Sequence, residues 1–138
     1  MGDKKKILIV DDEKDLVENV TMRLVHAGYE VLPSYDGVNA FEQVRKERPD
    51  LIILDIMLPK MDGYKVCGLL KKDARYAKIP IIMFTAKAHE EDEKLAREVG
   101  ADAYVVKPFE AKALLAKIAE LLESHKAEGG FSIAGGQA

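Results

Sequence analysis

The chain is poor in cysteine: among 138 residues there is one, Cys67, and there is no tryptophan at all. A single thiol excludes an internal disulfide and a cysteine-built metal cage, and its apolar neighbours at helical spacing mark Cys67 as a buried structural thiol. Long apolar runs are also missing. None approaches the roughly 18 residues that a membrane helix requires, and the N-terminus runs from lysines through a short apolar stretch into acid, unlike a signal peptide. Lys6 stands where a myristoylation motif starting at Gly2 wants Ser or Thr. The third absence is excess positive charge. With a net charge of −3 and a pI near 5.7, and with Lys4, Lys5 and Lys6 as the only basic run, nothing marks a surface for nucleic acid or an anionic membrane. The expectation is a cytoplasmic protein that binds neither directly. The histidines, His26, His89 and His125, are dispersed and share no metal-ligand spacing.

What is present is a regular alternation of two kinds of apolar segment. "ILIV" (7–10), "YEVL" (29–32), "LIIL" (51–54), "IPIIMF" (79–84) and "AYVV" (103–106) are short, mostly β-branched and bounded by turn formers or charge, so they predict strands. Several are continuously apolar, as strands covered on both faces are. Between them apolar residues recur at three and four. Leu16, Val17, Val20, Leu24 and Ala27 end at Gly28; Ala40, Phe41 and Val44 are stopped by Pro49; Val66, Leu69 and Leu70 follow. Leu95, Ala96 and Val99 end at Gly100, and Leu114, Leu115, Ile118, Leu121 and Leu122 form the last and longest stripe. Strand then helix, repeated with crossovers too long for hairpins, predicts an α/β fold with a five-stranded parallel sheet, order 2-1-3-4-5, and helices on both faces. One domain over residues 5–124 is expected. The remainder, 125–138, reads as a flexible C-terminal tail or linker, in which Phe131 and Ile133 offer apolar groups to a partner.

In a parallel sheet all strand C-termini lie at one edge, and ligands bind in the crevice outside them. Asp11, Asp12 and Glu13 follow the first strand, Asp55 the third, Thr85 and Ala86 the fourth, Lys107 and Pro108 the fifth. Any one of these has an ordinary explanation, since Asp is favoured in turns and as a helix cap. Their convergence is harder to explain that way. Clustered carboxylates repel one another unless a cation sits among them, and an all-oxygen donor set selects a hard ion, Mg2+ before Ca2+ or Zn2+, with Mn2+ as an alternative. A lysine and a hydroxyl facing the acids add donors for phosphoryl oxygens. These are the parts of a phosphoryl-transfer site with Asp55, carried on a central apolar strand, as the nucleophile.

The motifs "VDDE" (10–13), "DIMLPKMDG" (55–63), "TA" (85–86) and "KPF" (107–109), in this order and spacing, resemble those of response-regulator receiver domains over about residues 5–124. The resemblance implies that Asp55 accepts a phosphoryl group from a sensor histidine kinase or a histidine phosphotransfer protein. It further implies that Asp11, Asp12, Asp55 and the Met57 backbone carbonyl hold Mg2+, and that Thr85, the Ala86 backbone and Lys107 bind phosphoryl oxygens across a cis Lys107–Pro108 bond. Pro59 and Gly63 would shape the loop after Asp55, Gly63 through a positive φ. Thr85 and Tyr104 would form the switch, with Tyr104 turning inward and altering the face of helix 4, strand 5 and helix 5, which a downstream effector protein reads. Met57 and Lys87 occupy the positions that set phosphoryl lifetime, and neither offers a base, which implies a long-lived phosphorylated form.

Two other functions fit the fold class less well. Phosphatases of the haloacid dehalogenase type also use a strand-end Asp with Mg2+, but Met57 stands where their second, acid-base Asp belongs. A flavin or nucleotide module wants a loop of Gly, Ser or Thr after strand 1 to receive phosphate. "DDEKD" presents acid there instead.

Overall fold

The computed structural model describes residues 4–124 and 132–134 of the chain. In chain order the elements are β1 (Lys6–Val10), α1 (Lys14–His26), β2 (Glu30–Ser34), α2 (Gly37–Glu47), β3 (Leu51–Leu54), α3 (Gly63–Lys71), β4 (Ile81–Thr85), α4 (Glu90–Glu98), β5 (Ala103–Val106), α5 (Ala111–Ser124) and β6 (Ser132–Ala134). All strand pairs are parallel, and the order β2-β1-β3-β4-β5 is the one expected from the sequence.

Side chains alternate across a strand, so each apolar strand supplies two cores at once. Leu8, Val10, Ile52, Leu54, Ile81 and Met83 face one way, packing with Ala40 and Val44 of α2, Val66, Cys67 and Leu70 of α3, and Ala96 of α4. Ile7, Ile9, Ile53, Ile82 and Phe84 face the other way, against Val17, Val20 and Leu24 of α1 and Leu114, Ile118 and Leu121 of α5. A fully buried Ile or Leu contributes on the order of 1.5–3 kcal/mol. The central strand β3 has all four residues buried, so its C-terminal end is rigidly placed.

Helix ends follow local chemistry. Asp36 and Asp62 cap α2 and α3 by accepting from the backbone N–H groups of Asn39 and Lys65. Gly28 and Gly100 follow α1 and α4 with φ of 102° and 98°, where a side chain would be strained. Two apolar stripes differ from expectation. In α3 the buried face uses Cys67 while Leu69 is 44% exposed; in α4 only Ala96 is buried and Leu95 is 40% exposed. Both helices are short, so a shift of one position in their seating moves a large residue to the rim. The anchoring of α4 is correspondingly thin, although four acids in its first turn suit the positive end of the helix dipole.

A sixth strand extends the sheet. β6 pairs with β5 in parallel, Ala103 opposite Ser132, Tyr104 opposite Ile133 and Val105 opposite Ala134. It lies within the stretch expected to carry no element; a strand of three residues is too short to show a period. The rest of the expected tail, including Phe131, lies outside the described residues.

Candidate functional site

β1, β3, β4 and β5 all end at one edge of the sheet, and the residues just past them converge. Asp11 is fully buried, Asp55 is 6% exposed and Thr85 is 1% exposed, whereas Asp12 is open to solvent. Oxygen atoms of Asp11, Asp12 and Asp55 lie within 4.8 Å of one another. Backbone pairing sets this spacing: the N–H of Asp55 donates to the Val10 carbonyl at 3.0 Å, holding the end of β3 against that of β1.

Among the described residues Lys107 is the cation that faces the acids. The Lys107 ammonium donates to Asp11 at 2.7 Å and stands 3.6 Å from both Asp55 and Glu13. The same ammonium lies over the Phe84 ring, 5.1 Å from the centroid, and Phe84 in turn meets Phe109 edge-on. The Lys107 N–H donates to the Thr85 carbonyl at 2.8 Å, and the Lys107–Pro108 bond is cis. Burial disfavours charge on Lys107, but the hydrogen bond to Asp11 and the charges of Asp55, Asp11 and Glu13 outweigh it and raise its pKa. Asp55 is raised by burial first and then by the Asp11 charge, against the opposing effects of Lys107 and the Ile56 and Met57 N–H groups. The site therefore carries more negative charge than Lys107 alone offsets. Its donors are all oxygen, one side is open, and the three carboxylates fit a hard divalent cation.

The loop from Ile56 to Asp62 is locked at both ends. Gly63 donates to the Ile56 carbonyl at 2.8 Å, and a Cβ on Gly63 would fall 2.1 Å from the Asp55 carbonyl oxygen. Close approach, not the expected positive φ, is what requires glycine there. The positive φ belongs to Lys60, at 69°. Met57 and Pro59 lie exposed along the loop and Ala86 is exposed after β4. Asp11 is not a helix cap; its carboxylate accepts from the Glu13 N–H at 2.9 Å, fixing the turn into α1.

Tyr104 is 1% exposed, already turned inside, with its hydroxyl donating to the Lys87 carbonyl. Burial pushes its phenol up to about 12. Lys87 continues into a set of contacts that no sequence motif announces. Its ammonium stands 3.9 Å from Asp92, and Asp92 accepts from the Tyr64 hydroxyl at 3.0 Å. Tyr64 follows Gly63 directly, so this chain of contacts joins the Asp55 loop to α4 and β5. Gly37 was missed as well. A Cβ there would fall 1.8 Å from the Met61 carbonyl oxygen, so α2 presses on the same loop.

Comparisons with known proteins agree with this geometry. A family model described as the response regulator receiver domain matches residues 7–119. The chain is 43% identical over 118 residues to the alkaline phosphatase synthesis transcriptional regulatory protein PhoP of Bacillus subtilis, covering 86% of this chain and 48% of that protein. It thus spans about half the length of that relative. Among solved structures, a CheY-like response regulator receiver domain protein from Methanospirillum hungatei superposes with a TM-score of 0.85 at 32% identity, covering 92% of this chain and 100% of that one. The chemotaxis response regulator CheY4 of Vibrio cholerae gives 0.81 at 33% identity, covering 86% and 99%. With its sheet order, its acidic crevice and its facing lysine all in place, the chain belongs to the response-regulator receiver-domain family of two-component signalling.

Proposed function

We propose that this receiver domain is a phosphorylation-dependent switch in which Asp55 is the phosphoacceptor. The observation that carries the reading is the Asp55 carboxylate, fixed by the Ile56 N–H at 2.7 Å, with the Lys107 ammonium 3.6 Å away and the Asp11 and Asp12 oxygens close by. An Asp55 oxygen attacks the phosphorus of a phosphohistidine on a sensor kinase or phosphotransfer protein. The new P–O bond forms as the P–N bond breaks, and the histidine leaves with the electron pair. Lys107 offsets charge on the equatorial oxygens, and the Thr85 hydroxyl and Ala86 N–H supply neutral donors to them. Asp11, Asp12, Asp55 and the Met57 carbonyl would hold Mg2+, with Mn2+ as a substitute, and the ion would neutralise charge shared between the carboxylates and the phosphoryl group.

Met57 is 61% exposed and the Lys87 ammonium is turned to Asp92, so neither places a base beside Asp55. This supports a long-lived phosphorylated form and a role as a signalling domain, not a phosphatase. The face of α4, β5 and α5 would carry the signal to an effector protein. No described helix is long and apolar enough to cross a membrane.

The test is incubation with Mg2+ and a small acyl phosphate, followed by intact mass. One added phosphoryl group is expected, none in Asp55→Asn and none after chelation. Uptake that persists in Asp55→Asn would overturn the reading, and steady turnover of a phosphate ester would restore the phosphatase.

A further inference from the structure

We propose that the edge of β5 is a strand-docking surface and that Ser132–Ala134 of the same chain is its occupant, leaving when Asp55 is phosphorylated. The inference rests on the proposed reading of the α4, β5 and α5 face. Without β6, β5 would end the sheet and present a row of unpaired N–H and C=O groups between α4 and α5. β6 fills that row over three residues, with Ile133 opposite Tyr104 at its centre, and it also packs beside α5. The strand thus occupies the surface that a partner would read, at the register position of Tyr104.

The docking is built to be reversible. A strand of three residues makes few ladder hydrogen bonds, and no described element pairs with its outer side. Such edges open at the low end of a protein's local stabilities. In the sequence, glycine pairs at 129–130 and 135–136 bracket the segment, and glycine is disfavoured in strands, which limits how far the pairing can extend. The inner side of β5 is coupled to the site. Lys107, one residue beyond β5, holds Asp11, and the Tyr104 hydroxyl holds the Lys87 carbonyl on the loop after Thr85. A phosphoryl group that draws Lys107 and Thr85 toward Asp55 pulls on the C-terminal end of the strand to which β6 is paired, and on Tyr104 through the Lys87 carbonyl.

Amide hydrogen exchange of the 103–106 segment tests this in the full chain, comparing the native sequence with Ile133→Pro. Proline removes the N–H at the middle of β6, and a three-residue strand has few other donors to hold it. Exchange is expected to be roughly tenfold faster in the variant. Beryllofluoride with Mg2+ should bring the native chain to the variant's rate and leave the variant unchanged. Equal exchange in the two chains without beryllofluoride would show that the segment does not dock. Protection in the native chain that appears only as concentration rises, together with dimer formation, would assign the strand to a second copy and overturn docking within one chain. Protection unchanged by beryllofluoride, while intact mass shows phosphoryl uptake at Asp55, would make β6 a static edge and leave the phosphoacceptor reading standing. Absence of uptake would remove that reading and the release step with it, while the comparison with Ile133→Pro still decides the docking.

Discussion

Lys107 is bonded to Asp11 at 2.7 Å and stands farther, at 3.6 Å, from Asp55, the residue it is proposed to serve. In this arrangement the lysine holds one of the carboxylates that a cation would claim. A divalent cation held by the acids would therefore compete with Lys107 for Asp11, and would leave the ammonium free for a phosphoryl oxygen. Lys107→Ala leaves the fully buried Asp11 without its cationic partner. In chelator the variant should lose on the order of 3 kcal/mol of stability, the scale for a broken buried ion pair, and millimolar Mg2+ should recover more stability in the variant than in the native chain. Denaturant midpoints measured with and without Mg2+ check this. Coincident midpoints in chelator would mean that the pair contributes nothing.

Gly63 separates a structural fault from a chemical one. Because a Cβ there would lie 2.1 Å from the Asp55 carbonyl oxygen and 2.9 Å from the Ile56 Cα, Gly63→Ala must push α3 away from the loop that carries Asp55. A cost of about 1–3 kcal/mol is expected, together with slower uptake from acyl phosphate. Gly28→Ala meets nothing within 4 Å and is strained only through its φ of 102°, so it should lower stability while leaving the uptake rate of the folded protein unchanged. Slowed uptake in both variants would show that general destabilisation, not loop displacement, governs the rate.

Which of these relationships the sequence disclosed follows from range. Strand-end residues could be read because parallel strands share one edge, so Asp11, Asp55, Thr85 and Lys107 could be placed together without coordinates. The β1 and β3 pattern is legible because both faces of those strands are buried, which makes each run continuously apolar. Contacts between helices were not legible in the same way. Tyr64 and Asp92 are ordinary polar helix residues, and only the packing of α3 beside α4 makes them partners. Gly63 was located but assigned the wrong reason, since a close backbone approach leaves no more trace in a sequence than a positive φ does. β6 escaped because three residues do not establish a period.

Cys67 sets a limit on alkaline stability. Burial pushes its thiol from 9.0 up to about 12, with Lys71 acting against this and Asp102 adding to it. Between those values the folded protein keeps a proton that the unfolded chain has lost, so stability present in full below pH 9 declines as pH rises toward 12. Denaturation midpoints measured across this range should fall, and fall less steeply in Cys67→Ala once the variant's constant loss from its smaller core side chain is subtracted. At pH 8 a thiol reagent should label Cys67 only through opening of the fold, far more slowly than it labels the denatured chain. Rapid native-state labelling would contradict the burial.

The Tyr64 to Asp92 hydrogen bond, 3.0 Å long and partly buried, crosses from the first turn of α3 to the first turn of α4. Burial, followed by the bond to Asp92, raises the Tyr64 pKa far above its ordinary value of 10.0, so the phenol remains a donor at any physiological pH. With only Ala96 of α4 buried, this bond supplies a large share of what holds the helix's N-terminal end. Tyr64→Phe should cost about 1.5–3 kcal/mol, the range for a hydrogen bond to a charged group, and should speed amide exchange in α4 and in the loop containing Lys87 more than in β1 or β3. Adding Asp92→Asn to Tyr64→Phe should cost less than the sum of the single changes, because the second removes a partner already lost. Additive effects, or exchange that rises equally in the central strands, would mean that the pair stabilises the fold as a whole and does not anchor α4.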